Sequence, residues 1–194
     1  MKKNSKKIDY LDFFKTVGKS KNLLRSGWKR EKIKDPESIA EHSFRVGVLA
    51  MVLSEKVGVG LDKDKLIKMS LLHDLGELVT GDVVAERAGL VDIKKRDAKE
   101  RREKEGIREI FDKIGGGDEY AGIFEEMIQR VTPESKVFWQ FDKLEMALQA
   151  YEYEKTQGKN LEEFFTSASL HIKEPFLKEI FGDVLNQRRK KRKN

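Results

Sequence analysis

The 194-residue sequence contains no cysteine. Disulfides, thiolate nucleophiles, zinc fingers and iron–sulfur clusters are therefore excluded. Histidine is also scarce, since the chain has only His42, His73 and His171. A histidine-containing metal site must therefore combine these few imidazoles with carboxylates. Proline is limited to three residues, which leaves long stretches free to form helices.

The sequence also lacks a long apolar segment. No run approaches the ~18–20 apolar residues that a membrane-spanning helix needs. The basic start, residues 1–10, lacks the apolar stretch of a secretory signal. We therefore expect a cytoplasmic protein that has no membrane partner.

Excess positive charge is confined to one end of the chain. The formal net charge is +6, and the last seven residues, 188–194, include six Lys or Arg. The rest of the chain has equal numbers of basic and acidic residues. Because like charges repel each other, residues 188–194 are predicted to form a disordered basic tail after a domain of residues 1–187. The neutral body gives no reason to expect a specific nucleic-acid partner.

Apolar periodicity predicts helices along nearly the whole body and no convincing strand. The predicted fold class is therefore all-α, a single compact multi-helix domain. Asp35 and Pro36 predict a helix start, with the aspartate as N-cap and the proline in the first turn. Another helix is predicted from Asp62 towards Glu77. The stretch 94–111 is charged at almost every position, which predicts a helix that is exposed to solvent.

Polar residues occupy positions that the helical pattern predicts to be buried. His42 lies within an apolar helix, the pair His73–Asp74 ends the apolar run 69–72, and Asp142 lies among aromatic residues. Each has an ordinary alternative, namely a hydrogen-bonded core histidine or a carboxylate paired with arginine. Together they are two imidazoles and two carboxylates, a set that suits a divalent cation with coordination positions left open. Manganese, cobalt, iron, nickel and zinc all fit this donor set.

Other polar residues near these positions have less definite roles. Glu77 and Asp82 could act as general acid or base, or could orient a water, and the alternative is a solvated surface turn. Glu145 could hydrogen-bond to a metal ligand or be exposed. His171 is distant from every motif and is expected to be packed or exposed rather than a ligand.

The motifs EHS, LLHDLGE, TGD and FDKLE, in this order, resemble the HD-domain metal-dependent phosphohydrolase superfamily. The segments RSGW, DPESIAEHSFR, KERREKE and FDKLEMALQAYEYE extend this resemblance to the 5′-deoxynucleotidase branch, over about residues 10–180. The resemblance implies one divalent metal ion, and it implies metal ligands at His42, His73, Asp74 and Asp142. It also implies catalytic roles for Glu77 and Asp82.

The resemblance also implies a substrate site. In this branch an arginine next to a tryptophan holds the phosphate and sugar of the substrate. Here the two are separated, so Arg25 is the first choice for the arginine, and Lys29 and Arg30 stay open as alternatives. The residues implied to contact substrate are Arg25, Trp28, His42, Asp74, Asp82, Val83, Val84 and Ala85.

The implied activity is hydrolysis of nucleoside 5′-monophosphates to nucleoside and phosphate, with the deoxy forms preferred. The implied cofactor is cobalt, manganese or another transition metal, and zinc and magnesium stay open. A homodimer is implied as well. Two alternatives stay open: an HD-type enzyme for phosphodiesters, pyrophosphates or triphosphates, and a non-catalytic nucleotide- or RNA-binding protein that uses the basic tail.

Overall fold

The computed structural model describes residues 8–58, 60–81, 86–87, 90–91 and 93–192. Its helices are α1 Tyr10–Gly18, a 3₁₀ helix Lys19–Lys21, α2 Ser26–Arg30, α3 Ile39–Val57, α4 Lys63–Leu72, α5 Glu77–Thr80, α6 Ile93–Asp112, α7 Gly117–Gln129, α8 Pro133–Gln157, α9 Glu162–His171 and α10 Pro175–Arg192. Two two-residue strands, β1 Glu86–Arg87 and β2 Leu90–Val91, form an antiparallel pair. The prediction of an all-α fold is confirmed. Within the described residues, no helix combines the length and the apolar character needed to cross a membrane.

The centre of the fold is formed by α3, α4 and α8, which pack against one another. Their contact surfaces are apolar and fully buried, with contributions from Val46, Ala50, Leu66, Met69, Phe138, Phe141 and Leu144. Helices α6 and α7 pack together on one side, and α9 and α10 pack on α8. Polar side chains on the three central helices are therefore removed from water and need internal partners.

Helix α3 begins later than the sequence predicted. Its N-cap is Ser38, whose hydroxyl accepts from the Glu41 N–H while the Glu41 carboxylate accepts from the Ser38 N–H at 2.7 Å. Asp35 has a left-handed φ of 49° and is not the cap. The predicted start was wrong because the preceding segment is held extended: Arg25 N–H donates to the carbonyl of Glu37 at 3.0 Å.

Helix α4 ends before the predicted Glu77. Asp62 caps its start by accepting from the Lys65 N–H at 2.9 Å, as expected. The helix stops at Leu72, and a turn over 73–76 leads into the short α5. His73 and Asp74 therefore follow the end of α4 and lie in this turn.

Helix α6 is partly buried, which contradicts the prediction of a solvent-exposed helix. It passes so close to α5 that a Cβ on Gly76 would lie 2.7 Å from the carbonyl oxygen of Glu103. Only glycine permits this approach without displacing backbone. As a consequence Glu103 is buried, together with Ile107 and Ile110.

The predicted disordered tail is also partly wrong, because α10 continues to Arg192. Arg188 is buried and donates from Nε to Glu154 at 2.7 Å and from a terminal nitrogen to Glu162 at 2.8 Å. Its guanidinium also lies 3.9 Å from the centre of the Phe165 ring. The first basic residue of the predicted tail is therefore an internal packing residue. Residues 193 and 194 lie outside the described residues.

Candidate metal centre and active site

A cavity of about 280 Å³ opens between the central helices and α6. The His–Asp pair and Asp142 line it, and so do side chains of α2, α6, α7 and α9. The cavity therefore brings together predicted site residues from distant parts of the sequence, namely Arg25, Trp28, His73, Asp74, Glu77 and Asp142.

His42 is fully buried on α3 and is bound at both ring nitrogens. Nδ1 lies 2.5 Å from Oε2 of Glu145, and Nε2 lies 3.1 Å from Oδ1 of Asp142. Arg45 donates to the other oxygen of Glu145 at 2.8 Å. Glu145 is fully buried, so the alternative of an exposed carboxylate is wrong, and it contacts His42, which is a candidate metal ligand. A carboxylate on Nδ1 holds the ring in the orientation in which Nε2 is the nitrogen that faces the other candidate ligands.

His73 directs one buried ring nitrogen towards two carboxylates. Its Nδ1 lies 2.8 Å from the carbonyl oxygen of Ser70, which can only accept, so Nδ1 carries a proton. Its Nε2 is buried and has no hydrogen-bond partner among the described residues. This nitrogen lies 3.2 Å from Oδ2 of Asp74 and 3.9 Å from Oδ1 of Asp142. A buried imidazole nitrogen aimed at two carboxylates is the arrangement that a bound cation would satisfy.

The four predicted ligands surround one position. One donor atom each from His42, His73 and Asp142 lies within 4.8 Å of the others. Oδ2 of Asp74 lies 3.9 Å from Nε2 of His42, which places the fourth side chain beside the same group. Two nitrogen and two oxygen donors with open access from a cavity fit a divalent transition metal ion.

The electrostatics of the cluster favour positive charge at its centre. Burial opposes ionisation of Asp74, but His73 and Arg25 hold the pKa of this carboxyl well below its usual range. Burial and Arg25 oppose a charged His42, yet Glu145 and Asp142 raise the pKa of its imidazole to about 10. A proton and a divalent cation therefore compete for the same nitrogen, and metal binding would release the proton.

Arg25 lies at the wall of the metal centre. It precedes α2, and its guanidinium donates to Oδ2 of Asp74 at 2.5 Å. Lys29 is exposed and does not line the cavity, whereas Arg30 lines it and pairs with Glu163. Of the three candidate cations, Arg25 is thus the one in contact with a candidate metal ligand.

Trp28 lies buried at the wall of the cavity. It is 1% exposed, and its Nε1 donates to Glu37 at 2.8 Å. The ring of Phe164 stacks on it at 4.3 Å. Trp28 lines the cavity, but one face of its indole is occupied by Phe164. This contact makes Trp28 a support for the cavity wall.

Glu77 lines the cavity from the start of α5 and is buried. Lys99 of α6 donates to its Oε1 at 2.7 Å. The alternative of a solvated carboxylate is therefore wrong for Glu77. The other predicted acid and substrate contacts, Asp82, Val83, Val84 and Ala85, lie outside the described residues.

Sequence reasoning missed several residues of the cavity. His171 was predicted to be remote from the motifs, but it lines the same cavity, and its Nδ1 donates to the carbonyl of Ser167 at 2.8 Å. Four residues on one side of α6 also line the cavity, namely Arg96, Lys99, Glu100 and Glu103. Their spacing is helical, but the whole segment is charged, so no sequence signal separates them from exposed neighbours.

The fold and the site define a class: a helical domain with a buried centre of two histidines and two aspartates, in which one histidine and one aspartate are adjacent. The chain belongs to the HD domain family, whose family model matches residues 17–184. The metal dependence of this family agrees with the candidate ligands His42, His73 and Asp142.

Individual relatives cover nearly the whole chain. The 5′-deoxynucleotidase HDDC2 of Dictyostelium discoideum is 36% identical in an alignment of 184 positions, which covers 89% of this chain and 94% of that protein. The human 5′-deoxynucleotidase HDDC2 is 30% identical, over 92% of this chain and 85% of that protein. A conserved hypothetical protein from Pyrococcus furiosus has a solved structure that matches with a TM-score of 0.74 and 32% identity, over 91% of this chain and 99% of that chain.

Proposed function

We propose that this protein is a metal-dependent 5′-deoxynucleotidase that hydrolyses nucleoside 5′-monophosphates to nucleoside and phosphate. The observation that carries the proposal is the convergence of His42, His73, Asp74 and Asp142 on one position, with Arg25 at the edge. Relatives named 5′-deoxynucleotidase, aligned over nearly their full length, support the choice of substrate. Deoxyribonucleotides are the preferred substrates in this proposal.

The proposed metal ligands are His42, His73, Asp74 and Asp142. When bound, a divalent ion supplies Lewis acidity, which stabilises charge on a phosphate and lowers the pKa of a water. Glu145 holds the ring of His42 in the orientation that presents Nε2, and the Ser70 carbonyl does the same for His73. Cobalt and manganese are the ions we propose first, because the donor set mixes imidazole and carboxylate.

Arg25 is proposed to bind the phosphate of the substrate. A guanidinium donates two parallel hydrogen bonds to phosphate oxygens, which a lysine cannot do. In the structure this group pairs with Asp74, so it is already held at the metal centre. With metal and substrate bound, Asp74 would hold the ion and Arg25 would hold the phosphate. Arg25 then neutralises charge on the phosphoryl group as the ester bond breaks.

Glu77 and Asp82 are proposed to manage protons during hydrolysis. Glu77 is buried at the cavity wall, where it can accept a proton from an attacking water or orient that water. The leaving nucleoside needs a proton on its 5′-oxygen, which an acid must supply. The division of these two tasks between Glu77 and Asp82 is left open by the proposal.

The sugar is proposed to contact the segment Asp82–Ala85 and the wall supported by Trp28. Discrimination against one extra hydroxyl by packing alone is worth only ~1–3 kcal/mol. We therefore expect a preference for deoxyribonucleotides rather than complete exclusion of ribonucleotides.

We also propose that the protein is a homodimer. Helix α1 presents Tyr10, Leu11 and Phe14 to solvent, each at least 60% exposed. A patch of this kind is typical of a surface that another chain covers. Sedimentation equilibrium of the wild type and of Phe14→Glu tests this: a dimer that the charge weakens is expected, and a monomeric wild type contradicts it. A cytoplasmic compartment stays a prediction.

The activity is tested by phosphate release from a panel of nucleotides with each divalent metal in turn. We expect the highest kcat/KM with deoxyribonucleoside 5′-monophosphates, lower values with ribonucleotides, and little release from 3′-monophosphates. Equal rates on all nucleotides and on an aryl phosphate would indicate a nonspecific phosphatase. Cleavage of only diesters, pyrophosphates or triphosphates would place the protein in another HD branch.

A further inference from the structure

Helix α6 presents an ordered set of charges to the active-site cavity. Arg96, Lys99, Glu100 and Glu103 follow one another at helical spacing, and all four line the cavity. Lys99 lies between two buried carboxylates, because its Nζ is 2.7 Å from Oε1 of Glu77 and 3.1 Å from Oε1 of Glu103. The two glutamate side chains are only 4% and 7% exposed. The ammonium group of Lys99 is therefore shared between two carboxylates that have little access to water.

The backbone keeps this lysine at its place. Gly76, directly before Glu77, touches the backbone of Glu103, and a Cβ on Gly106 would lie 3.1 Å from the carbonyl oxygen of Gly76. Two glycines thus let α5 and α6 pack backbone to backbone. The lysine spans this contact and ties the side chain of Glu77 to α6.

We propose that Lys99 is a positioning residue that holds the Glu77 carboxylate in its orientation at the cavity wall. The inference rests on the proposed function, in which Glu77 handles protons. A buried carboxylate that loses a cation at 2.7 Å would take up a proton more readily or turn away from its present position, and either change weakens it as a base. A role in stability alone would leave the reaction unaffected once the protein is folded.

The charge state of Lys99 supports this role. Burial opposes the charge on Lys99, but Glu77 and Glu103 raise the pKa of its ammonium group, which stays charged at neutral pH. Burial raises the pKa of Glu103 to about 7, so this second carboxylate is partly protonated at neutral pH.

The first test compares Lys99→Met with Lys99→Arg and with a control on the same helix. We expect Lys99→Met to lower kcat on a deoxyribonucleoside 5′-monophosphate by ~10–100-fold, part of the ~10²–10⁴-fold that a general acid or base contributes. KM and metal content should change less than about threefold, since the phosphate and metal ligands stay in place. Lys99→Arg keeps the charge and should recover kcat to within about fivefold of wild type.

The control is Lys104→Met, which removes a lysine of α6 that pairs with Glu125 at 2.6 Å and does not line the cavity. It should leave kcat within about twofold, as remote charges mainly affect encounter. An unchanged kcat in folded Lys99→Met, with an active wild type, overturns the inference. Equal losses in Lys99→Met and Lys104→Met also overturn it.

A double variant covers the case in which Lys99→Met alone fails to fold. Glu77→Gln/Lys99→Met removes the carboxylate together with its cation. If Lys99 acts through Glu77, kcat of the double variant equals that of Glu77→Gln within about twofold, because two residues of one unit are not additive. A further large loss in the double variant contradicts the inference.

Crystal structures separate this inference from the proposed function. They are determined for the wild type, Lys99→Arg and Lys99→Met, each loaded with the same metal ion. They need no activity. We expect the Glu77 carboxylate to leave its position in Lys99→Met and to keep it in Lys99→Arg. If Lys99→Met does not crystallise, Lys99→Gln serves in its place. An unmoved Glu77 overturns the inference, whereas an inactive wild type overturns only the proposed function.

Discussion

The two sides of the active-site cavity are built differently. On the metal side, the candidate ligands lie on α3, on α8 and in the turn that follows α4. Each histidine there has a second contact: Glu145 holds His42, and the carbonyl of Ser70 holds His73. On the opposite side, α5 and α6 carry Glu77, whose carboxylate is paired with Lys99. The metal side is part of the hydrophobic core, and the α6 side is a charged layer placed over it.

This difference shows how the two kinds of group are held. A metal ligand must keep its geometry before the ion arrives, so partners in the core suit it. A group that moves protons must respond to its surroundings, so a charged neighbour at a helix contact suits it. We therefore expect substitutions on the metal side to remove the ion and substitutions on the α6 side to spare it.

The largest effect is expected for Asp142→Asn. This change removes one of four proposed ligands, so the bound metal and the activity should both be lost. Elemental analysis after gel filtration and phosphate release measure the two quantities. The control is Asp183→Asn, an exposed aspartate of α10, which should retain both. Near-stoichiometric metal in Asp142→Asn would show that Asp142 is a core carboxylate and not a ligand. It would then no longer hold that substitutions on the metal side remove the ion.

A smaller effect is expected for Glu77→Gln on the α6 side. It should keep the metal and lower kcat by ~10²–10⁴-fold, the usual contribution of a general acid or base. Metal content and kcat are measured on the same sample. Loss of the ion would indicate that Glu77 is itself a metal ligand. Full activity would indicate that Asp82 alone transfers the protons.

A loss of ~10–100-fold in metal affinity is expected for Glu145→Gln, the usual effect of removing a partner of a metal ligand. The neutral amide lowers the basicity of His42, although the ring stays in place. A competition titration with a metal indicator measures the affinity. The control Glu152→Gln removes an exposed partner of Arg45 and should leave the affinity within about twofold. Equal metal affinities of Glu145→Gln and wild type would contradict the idea that Glu145 positions His42 for metal binding.

The smallest effect concerns pH and Glu103. Burial raises the pKa of this carboxyl from 4.5 to about 7, so the folded protein binds the proton more tightly than the unfolded chain. The resulting stability is complete below about pH 4.5 and is lost as the pH rises through about 7. Between these limits the free energy of unfolding of wild type should fall by ~1–3 kcal/mol relative to Glu103→Gln.

Urea unfolding at a series of pH values measures this difference. Glu105→Gln is the control, since Glu105 is exposed on the same helix and should show the pH profile of wild type. Identical profiles for wild type and Glu103→Gln would contradict the raised pKa of Glu103.

The metal side was predictable from sequence because its signal is local. His42 and Asp142 are polar residues at positions where helical periodicity predicts apolar ones, and each helix forms as expected around them. Glu145 follows Asp142 by one helical turn, so its contact with His42 was one of two alternatives. The motif resemblance then joined these residues into one set.

The α6 side was not predictable because its burial depends on how two helices meet. Lys99 and Glu103 are charged residues among charged residues, and nothing local sets them apart. Their burial follows from the close approach at Gly76, which only the folded chain shows. In the same way, the start of α3 at Ser38 depends on the pairing of residues 23–25 with 37–39, a contact between segments that periodicity does not describe.

The burial of Arg188 has a consequence for how the C-terminal end tolerates trimming. Arg189 and Lys190, which follow it directly, have exposed side chains, so their loss should cost the fold little stability. Removal of Arg188 itself would strand Glu154 in the core without its two hydrogen bonds from the guanidinium. A truncation that removes Arg188 should therefore destabilise the fold more than one that ends directly after it.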